Sequence, residues 1–313
     1  MNGVLIVDKP DGPTSHDVVR WARKVFGTRS VGHAGTLDPM ATGVLVVAVG
    51  EATKLVPYLT ASDKRYEAEI TLGLATDTLD ARGKEIARAE IPEGLTERDV
   101  AAALASFVGG YDQRAPVVSA IKRDGRSLHA RVRAGEEVEA PVRRVELHEA
   151  EVEALDGEKI RITVHCGKGF YVRSLARDLA EKLGTLGHLS ALRRTASGAF
   201  GLEGSVDGLA LREAAADPAR RSAIHGALLT LEEATSFMPT VRVNEEGRAD
   251  AWNGRPIDPS RFTPEGAEPS RDEPLRILDA RGDLLAIGAL SDDGRVRVVR
   301  GFRPGERGDS LGA

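Results

Sequence analysis

The sequence predicts an α+β protein, in which a large mixed or antiparallel sheet with helices is followed by a small β module. Residues 64–72 and 160–164 alternate apolar and polar side chains, as half-buried strands do, and residues 44–49 form an apolar run typical of a buried strand. Thr14 or Ser15 can cap a helix predicted over about residues 15–26, and Thr96 opens a capping box at the start of a second helix. Strands therefore alternate with capped helices.

The C-terminal part of the chain has a different pattern. Four prolines fall within residues 258–274, which predicts an exposed loop without regular structure. Three apolar runs with hairpin-type turns between them follow at 275–278, 284–290 and 296–299. We therefore predict a large domain at residues 1–235, a small β domain at 238–302 and a tail at 303–313.

Composition narrows the functional classes. Hydrophobic residues make up 41% of the chain, no apolar run is long enough to span a bilayer, and Met1–Pro10 lacks the basic start of a signal peptide. The single cysteine, Cys166, excludes an internal disulfide and a cysteine-based metal site, and the histidines show no ligand spacing. These features favour a cytoplasmic protein without a bound metal.

The charge distribution limits how the chain could hold a nucleic acid. The net charge is −5, of which residues 231–313 contribute −4 and residues 1–230 contribute −1. A nucleic-acid-binding protein usually carries a basic face, so any RNA must be held by local clusters. The most basic stretch is residues 111–146, which contain eight Arg or Lys.

The most informative stretch is Gly32–Gly43, which precedes the apolar run at residues 44–49. It predicts a loop at the mouth of a buried strand, where proteins often carry functional groups. Pro39 restricts the backbone of Asp38 and would hold its carboxylate in one direction. The alternative is that Asp38 merely starts a turn, which is common for Asp before Pro.

The string G-H-x-G-T-L-D-P-x-A-T-G-V-L, which spans this stretch and the first two residues of the apolar run, resembles the signature of the tRNA pseudouridine-55 synthases, the TruB family. The resemblance implies a pseudouridine-synthase-like catalytic domain with a central cleft and a PUA-like C-terminal domain. It also implies that Asp38 is the catalytic residue.

Further motifs extend the resemblance from Gly3 to about Thr195. The family pattern implies that Tyr66, within K-R-Y, stacks on the target base, and that Leu192, within L-R-R-T, closes the pocket. Tyr171 would line the pocket, and Arg173 would pair with the aspartate, which also makes physical sense because an arginine offsets the desolvation of a buried carboxylate. Tyr66 could instead be a half-buried aromatic of a strand, and Leu192 could be ordinary core.

Two weaker assignments complete the pocket. Lys9, within V-D-K-P, matches a family lysine that supports the site. His33 would occupy the place in the RNA loop that the flipped base leaves, or it could be a hydrogen-bonding group of its own loop.

The basic stretch 111–146 also resembles the family, which has an RNA-gripping insertion here. The sequence departs from the family pattern at Val118 and His129, where aromatic residues are usual. We predict a mobile flap that closes on the tRNA T-arm, with four RNA-binding side chains, Lys122, Arg126, Arg131 and Arg133.

The resemblance implies isomerisation of uridine to pseudouridine at position 55 in the T-arm loop of tRNA. The reaction is neither an oxidation nor a hydrolysis, so it implies no cofactor and no metal. Asp38 could attack C1′, add to C6 of the uracil or remove the C2′ proton. The expected partner is tRNA alone, bound by a monomer without a protein partner or membrane. The alternatives are a synthase acting on another RNA and a non-catalytic RNA-binding or RNA-folding protein.

Overall fold

The computed structural model describes residues 1–117, 140–266 and 269–302, together with the backbone of residues 122–123 and 126–127. Several predicted positions lie outside the described residues, namely Val118, His129, Arg131, Arg133, the tail at 303–313 and the side chains of Lys122 and Arg126.

The described strands are β1 (Gly3–Lys9), β2 (Val31–Ala34), β3 (Thr42–Val49), β4 (Lys64–Leu72), β5 (Leu74–Thr76), β6 (Glu85–Arg88), β7 (Gly109–Arg114), β8 (Lys122–Arg123), β9 (Arg126–Ser127), β10 (Val142–Asp156), β11 (Lys159–Cys166), β12 (Gly187–Ser197), β13 (Phe200–Gly201), β14 (Val206–Asp207), β15 (Thr240–Val243), β16 (Phe262–Glu265), β17 (Pro274–Leu278), β18 (Leu284–Leu290) and β19 (Val296–Gly301). The described α-helices are α1 (Ser15–Phe26), α2 (Val56–Ala61), α3 (Glu97–Ala105), α4 (Val172–Lys182), α5 (Gly208–Ala216), α6 (Arg221–Gly226), α7 (Leu231–Ala234) and α8 (Glu245–Trp252). Short 3₁₀ helices occupy Gly50–Leu55, Pro218–Arg220 and Pro259–Arg261.

A ten-stranded mixed sheet forms the main body. Its central order is β14-β1-β3-β12-β4-β11-β10-β7, with β2 added to β3 and β13 added to β12. Strand β12 runs parallel to β3 and antiparallel to β4, so two kinds of pairing meet at its centre. The predicted fold class is confirmed.

Local sequence explains several of these elements. Thr14 and Asp17 form a reciprocal capping box at the start of α1, and the helix spans Ser15–Phe26, as predicted. The prediction that Gly32–Gly43 is entirely loop was wrong, because Val31–Ala34 pairs with β3. A strand of four residues containing a glycine gives little periodic signal, so its existence depends on the neighbouring strand.

The C-terminal part forms a five-stranded sheet in the order β16-β15-β17-β18-β19. The three predicted strands are confirmed as β17, β18 and β19. The prediction of a structureless loop at 258–274 was wrong, because residues 259–265 form a 3₁₀ turn and β16. Pro264 is tolerated there because β16 lies at the edge of the sheet, where a missing N–H need not break a ladder.

This smaller sheet has its own apolar core but is also packed against the main body. Val241, Ile277 and Val296 belong to its internal cluster. Ile287 and Phe302 instead join a cluster with β1 and β3 of the main sheet. Among the described residues, no helix is long and apolar enough to cross a membrane.

The basic stretch begins and ends in the main sheet. Strands β7 and β10 pair with each other, and their outermost partners are Arg114 and Val142. The predicted insertion at 111–146 therefore includes strand residues at both ends, and the excursion lies between residues 114 and 142.

Candidate active site

A cavity of about 310 Å³ opens where the β2–β3 loop meets β4, β12 and the turn before α4. It lies at the lower end of the range of roughly 300–1,000 Å³ that ligand pockets occupy. Five predicted site residues line it together, namely Asp38, Tyr66, Tyr171, Arg173 and Leu192. They come from four separate parts of the sequence, so the fold itself assembles the cluster.

Asp38 and Arg173 form a two-point ion pair in this cavity. Arg173 Nη2 donates to Asp38 Oδ1 at 3.1 Å, and Arg173 Nε lies 2.9 Å from Asp38 Oδ2. The Arg173 side chain is 5% exposed, whereas that of Asp38 is 32% exposed. The carboxylate therefore meets a buried guanidinium on one side and the open cavity on the other.

Arg173 is held in place from behind. Its Nη1 donates to the carbonyl oxygen of Thr78 at 2.8 Å and lies 3.6 Å from Asp80 Oδ2. The loop that contains Thr78 and Asp80 had no predicted role in the site. Asp80 is itself fixed by Thr78 Oγ1, which donates to its carboxylate at 2.7 Å. This second carboxylate shares the guanidinium with Asp38.

The pKa of the Asp38 carboxyl is raised above its ordinary value of 3.8. Burial is the largest cause, and the charge of Asp80 acts in the same direction. The charges of Arg173 and Lys9 oppose the increase without reversing it. The expectation that Arg173 offsets the desolvation of Asp38 is therefore met only in part, and the fold holds a carboxylate that is costly to ionise.

The loop that carries Asp38 is braced at several points. Ser15 Oγ accepts from the Leu37 N–H at 2.8 Å and donates to the Leu37 carbonyl at 3.0 Å. Lys9 Nζ donates to the Pro39 carbonyl at 3.2 Å. Lys9 is fully buried, and burial lowers its pKa to about 8. It does not line the cavity, so its contact with the site is through the loop.

Tyr66 faces a buried arginine to which the sequence motifs gave no role. Arg194 lies opposite Tyr66 in the β4–β12 register, is 1% exposed, and donates to the carbonyls of Val44 and Gly35 at 2.6 and 3.0 Å. Burial raises the pKa of the Tyr66 phenol. The alternation of β12 could have identified Arg194, because it points opposite to Arg193.

The backbone of Arg194 also explains one glycine of the motif, because β12 approaches β3 closely at this point. Gly43 has a φ of +96°, and a Cβ there would lie 2.1 Å from the carbonyl oxygen of Arg194. Only glycine fits where β3 meets β12.

Tyr171 is positioned through its backbone. Gln113 Oε1 accepts from the Tyr171 N–H at 2.9 Å, and Gln113 Nε2 donates to the Tyr171 carbonyl at 3.1 Å. Gln113 is 1% exposed. This clamp, also missed from the sequence, fixes the turn that leads into α4 and hence the direction of Arg173.

His33 does not line the cavity. It lies in β2, half-buried, and its Nδ1 has no hydrogen-bond partner among the described residues. Burial is the main cause of its lowered pKa, so the ring favours its neutral form.

A larger groove of about 850 Å³ adjoins the cavity and shares Leu192 with it. Its charged lining is mixed, with Arg82, Arg161 and Arg193 facing Glu67 and Glu69. The ion pair of Asp38 lies in the smaller cavity and not in this groove. Among the described residues, one group of histidine and carboxylate side chains is close enough together to share a metal ion. It consists of Asp63, His148 and His165, and it lies outside the cavity lining.

Comparison with known proteins gives a consistent result. Residues 23–172 match the TruB family pseudouridylate synthase N-terminal domain, and residues 173–236 match the tRNA pseudouridylate synthase B C-terminal domain. The tRNA pseudouridine synthase B of Syntrophotalea carbinolica is 44% identical over 94% of this chain and 99% of its own. That of Paenarthrobacter aurescens is 40% identical over 97% of this chain and 96% of its own.

Two solved structures share the fold. One chain in a crystal structure of a Cbf5-Nop10-Gar1 complex is 27% identical, with a TM-score of 0.75 over 96% of this chain and 85% of that chain. Another, from an H/ACA RNP bound to a substrate RNA containing 2′-deoxyuridine, is 25% identical, with a TM-score of 0.74 over the same shares. From the family matches and the identity to these relatives, this chain belongs to the TruB family of pseudouridylate synthases.

Proposed function

We propose that Asp38 is the catalytic residue with which this tRNA pseudouridine synthase isomerises uridine 55 in the T-arm loop of tRNA. The observation that carries the proposal is the Asp38 carboxylate, which a buried Arg173 contacts at both oxygens on the wall of a base-sized cavity. The relatives at 40–44% identity are tRNA pseudouridine synthases, which supports tRNA as the substrate.

The reaction rearranges bonds within one nucleotide. The N1–C1′ bond breaks, the uracil turns, C5 bonds to C1′, the proton on C5 is lost and N1 gains a proton. All atoms come from the nucleotide and solvent, and no electrons are gained or lost overall. The step therefore needs positioning and charge stabilisation rather than a redox cofactor.

The uracil has to leave its stack to enter the cavity. Tyr66 offers an aromatic face for stacking, and Tyr171 and Leu192 provide the remaining walls. Asp38 then acts at C1′, at C6 or on the C2′ proton. His33 would stack within the RNA loop in place of the flipped base.

RNA binding outside the cavity is assigned on charge. Lys122, Arg126, Arg131 and Arg133 are proposed to bind phosphates of the T-arm as parts of a flap. The small sheet, proposed as a separate domain at residues 238–302, would add modest contacts because it is acidic overall. We further propose that the chain acts as a cytoplasmic monomer without a protein partner.

Mapping pseudouridine in an unmodified tRNA after incubation with the protein tests the substrate assignment. We expect one modified position, uridine 55, and comparable modification of an isolated T-arm stem-loop. A tRNA with cytidine at position 55 is the control. Modification of a ribosomal fragment but not of the stem-loop would favour another RNA substrate. Binding without modification of any RNA would favour an RNA-folding role.

A further inference from the structure

We propose that Asp63, His148 and His165 form a binding site for one divalent transition-metal ion of the Zn²⁺ class. The three ligand atoms all lie within 4.8 Å of one another. His148 Nε2 lies 3.4 Å from Asp63 Oδ1, and His165 Nε2 lies 3.9 Å from Asp63 Oδ2. Ligand atoms of a tetrahedral zinc ion lie roughly 3.4 Å apart, as metal–ligand distances of about 2.1 Å require. Small side-chain rotations would bring the three ligand atoms to this separation.

The pairing of β10 with β11 places the two imidazoles on the same side of the sheet. Leu147 pairs with Cys166, so the next residues along the two strands, His148 and His165, both point to the opposite face. A bulge at this point leaves both His148 and Glu149 opposite His165. The two rings consequently lie with their centroids 4.9 Å apart.

Asp63 completes the set from the neighbouring strand. It stands one residue before β4 and two before Arg65, which pairs directly with His165. Residues two apart in a strand share a face, which places Asp63 on the side of His165. Its carbonyl accepts from the Gly198 N–H at 2.8 Å, which fixes the backbone at that point.

The surroundings favour a cation over a simple histidine–carboxylate pair. Glu146 Oε1 lies 3.9 Å from His148 Nδ1, the ring nitrogen that faces away from Asp63. A carboxylate at the second nitrogen is how metal-binding histidines are commonly oriented. The nearby Arg65 is engaged by Glu149 at 3.7 Å. Neutral imidazoles with one carboxylate suit Zn²⁺, Ni²⁺ or Co²⁺ rather than Mg²⁺.

Solvent access would complete the coordination. The side chains of Asp63, His148 and His165 are 50%, 30% and 25% exposed, and a groove of about 470 Å³ borders the first two. Three protein ligands with one open position leave room for a water. An ion here would tie β10 and β11 to the start of β4, next to Lys64 and Cys166, which line the catalytic cavity.

Titration of the purified chain with Zn²⁺ against a chromogenic chelator tests the proposal. We expect one ion per chain, and at least about a tenfold loss of affinity in His148→Gln and in His165→Gln. His16→Gln, which removes an exposed histidine outside the cluster, should bind like the parent. Magnesium should not compete.

Two further measurements distinguish loss of the metal site from loss of folding in the variants. The unfolding midpoint of the parent should rise with Zn²⁺, whereas that of the His148→Gln/His165→Gln double variant should not. Cobalt bound to the parent should give the absorption of a tetrahedral site. The proposal is overturned if the parent binds no Zn²⁺ at micromolar concentration, if the folded double variant binds it equally well, or if cobalt gives only an octahedral spectrum.

Discussion

Two aspartate–arginine pairs in this protein have nearly the same geometry and very different surroundings. Asp8 receives Nη1 and Nη2 of Arg193 at 3.2 and 2.7 Å, just as Asp38 is contacted at both oxygens by Arg173. The two aspartates are equally exposed, at 33% and 32%. The arginines differ, because Arg193 is 37% exposed and Arg173 only 5%.

The difference shows that pairing alone does not mark a functional carboxylate. Both aspartates stand close before a proline in a turn-rich stretch, so the local sequence does not separate them. What separates them is the cavity in front of Asp38 and the buried, doubly anchored cation behind it. A solvated pair of the Asp8 kind contributes little to stability, whereas a buried cation is costly to leave unpaired.

Exchanging the two arginines for alanine should give the largest contrast between the pairs. Arg173→Ala should reduce the single-turnover rate by on the order of a hundredfold, the effect of removing one charge-stabilising group. Arg193→Ala should cost far less, because Arg193 is itself 37% exposed and does not line the cavity. Arg173→Lys should fall between them, since an ammonium cannot contact both oxygens as a guanidinium does. Full activity of the lysine variant would show that the two-point contact is unimportant.

The next effect concerns binding rather than chemistry. Replacing Arg126, Arg131 and Arg133 by glutamine should weaken tRNA binding roughly tenfold and flatten its salt dependence, because the slope falls by about 0.7–0.9 for each phosphate that the protein no longer neutralises. The matched control neutralises three exposed arginines elsewhere, Arg88, Arg98 and Arg220. Titrations at several salt concentrations decide the matter. If both triple variants bind like the parent, the basic stretch does not hold RNA.

A smaller effect follows from the raised pKa of Asp38. Because folding raises this pKa, ionisation at pH 7 disfavours the folded state. That cost is present above the folded-state pKa and is lost as the pH falls towards the unfolded value of 3.8. Asp38→Asn should therefore be at least as stable as the parent at pH 7, because Asp80 still faces the Arg173 guanidinium, and the difference should be smaller at pH 4. Urea unfolding at both pH values checks this, and a clear loss of stability at pH 7 would mean that the ion pair outweighs burial.

The smallest expected effect is that of chelation. Exhaustive EDTA treatment should leave the rate on a T-arm stem-loop unchanged in monovalent salt, because the proposed chemistry uses side chains of the protein and the substrate's own atoms, and no metal. The proposed metal site lies outside the cavity, so removing an ion there should alter stability more than rate. Activity that is lost with EDTA and restored by one specific metal would place a metal in the chemistry.

The sequence and the resemblance together identified five of the residues that line the cavity, but not the residues that hold them in place. Asp38, Tyr66 and Arg173 belong to recognisable motifs, whereas Gln113 holds the Tyr171 backbone and Arg194 lies opposite Tyr66. Alternation in β12 indicates that Arg194 points away from Arg193, but the partners of Gln113 and Arg194 depend on strand order and register, which no local pattern records. Capped helices such as α1 were predictable for the opposite reason, since their signals lie within four residues.

Dependence on strand order also explains why the prediction for residues 258–274 was wrong and why the sequence did not reveal the proposed metal site. Pro264 in β16 is acceptable only because that strand is at an edge, and edge position is a property of the whole sheet. His148 lies in β10, His165 lies in β11 and Asp63 lies far upstream, so ligand spacing in the sequence could not reveal them. The pairing of β10 with β11 and of β11 with β4 brings them together.

The most direct test of the central claim compares Asp38→Asn with Asp8→Asn in single-turnover tritium release from C5-labelled tRNA, at enzyme concentrations that saturate binding. Both substitutions are nearly isosteric and each removes one carboxylate from a two-point pair. We expect Asp38→Asn to bind tRNA normally and to release tritium at least about a thousandfold more slowly, as the loss of a catalytic group requires, and Asp8→Asn to resemble the parent. Release by Asp38→Asn near the parent rate would contradict the assignment of Asp38 as the catalytic residue.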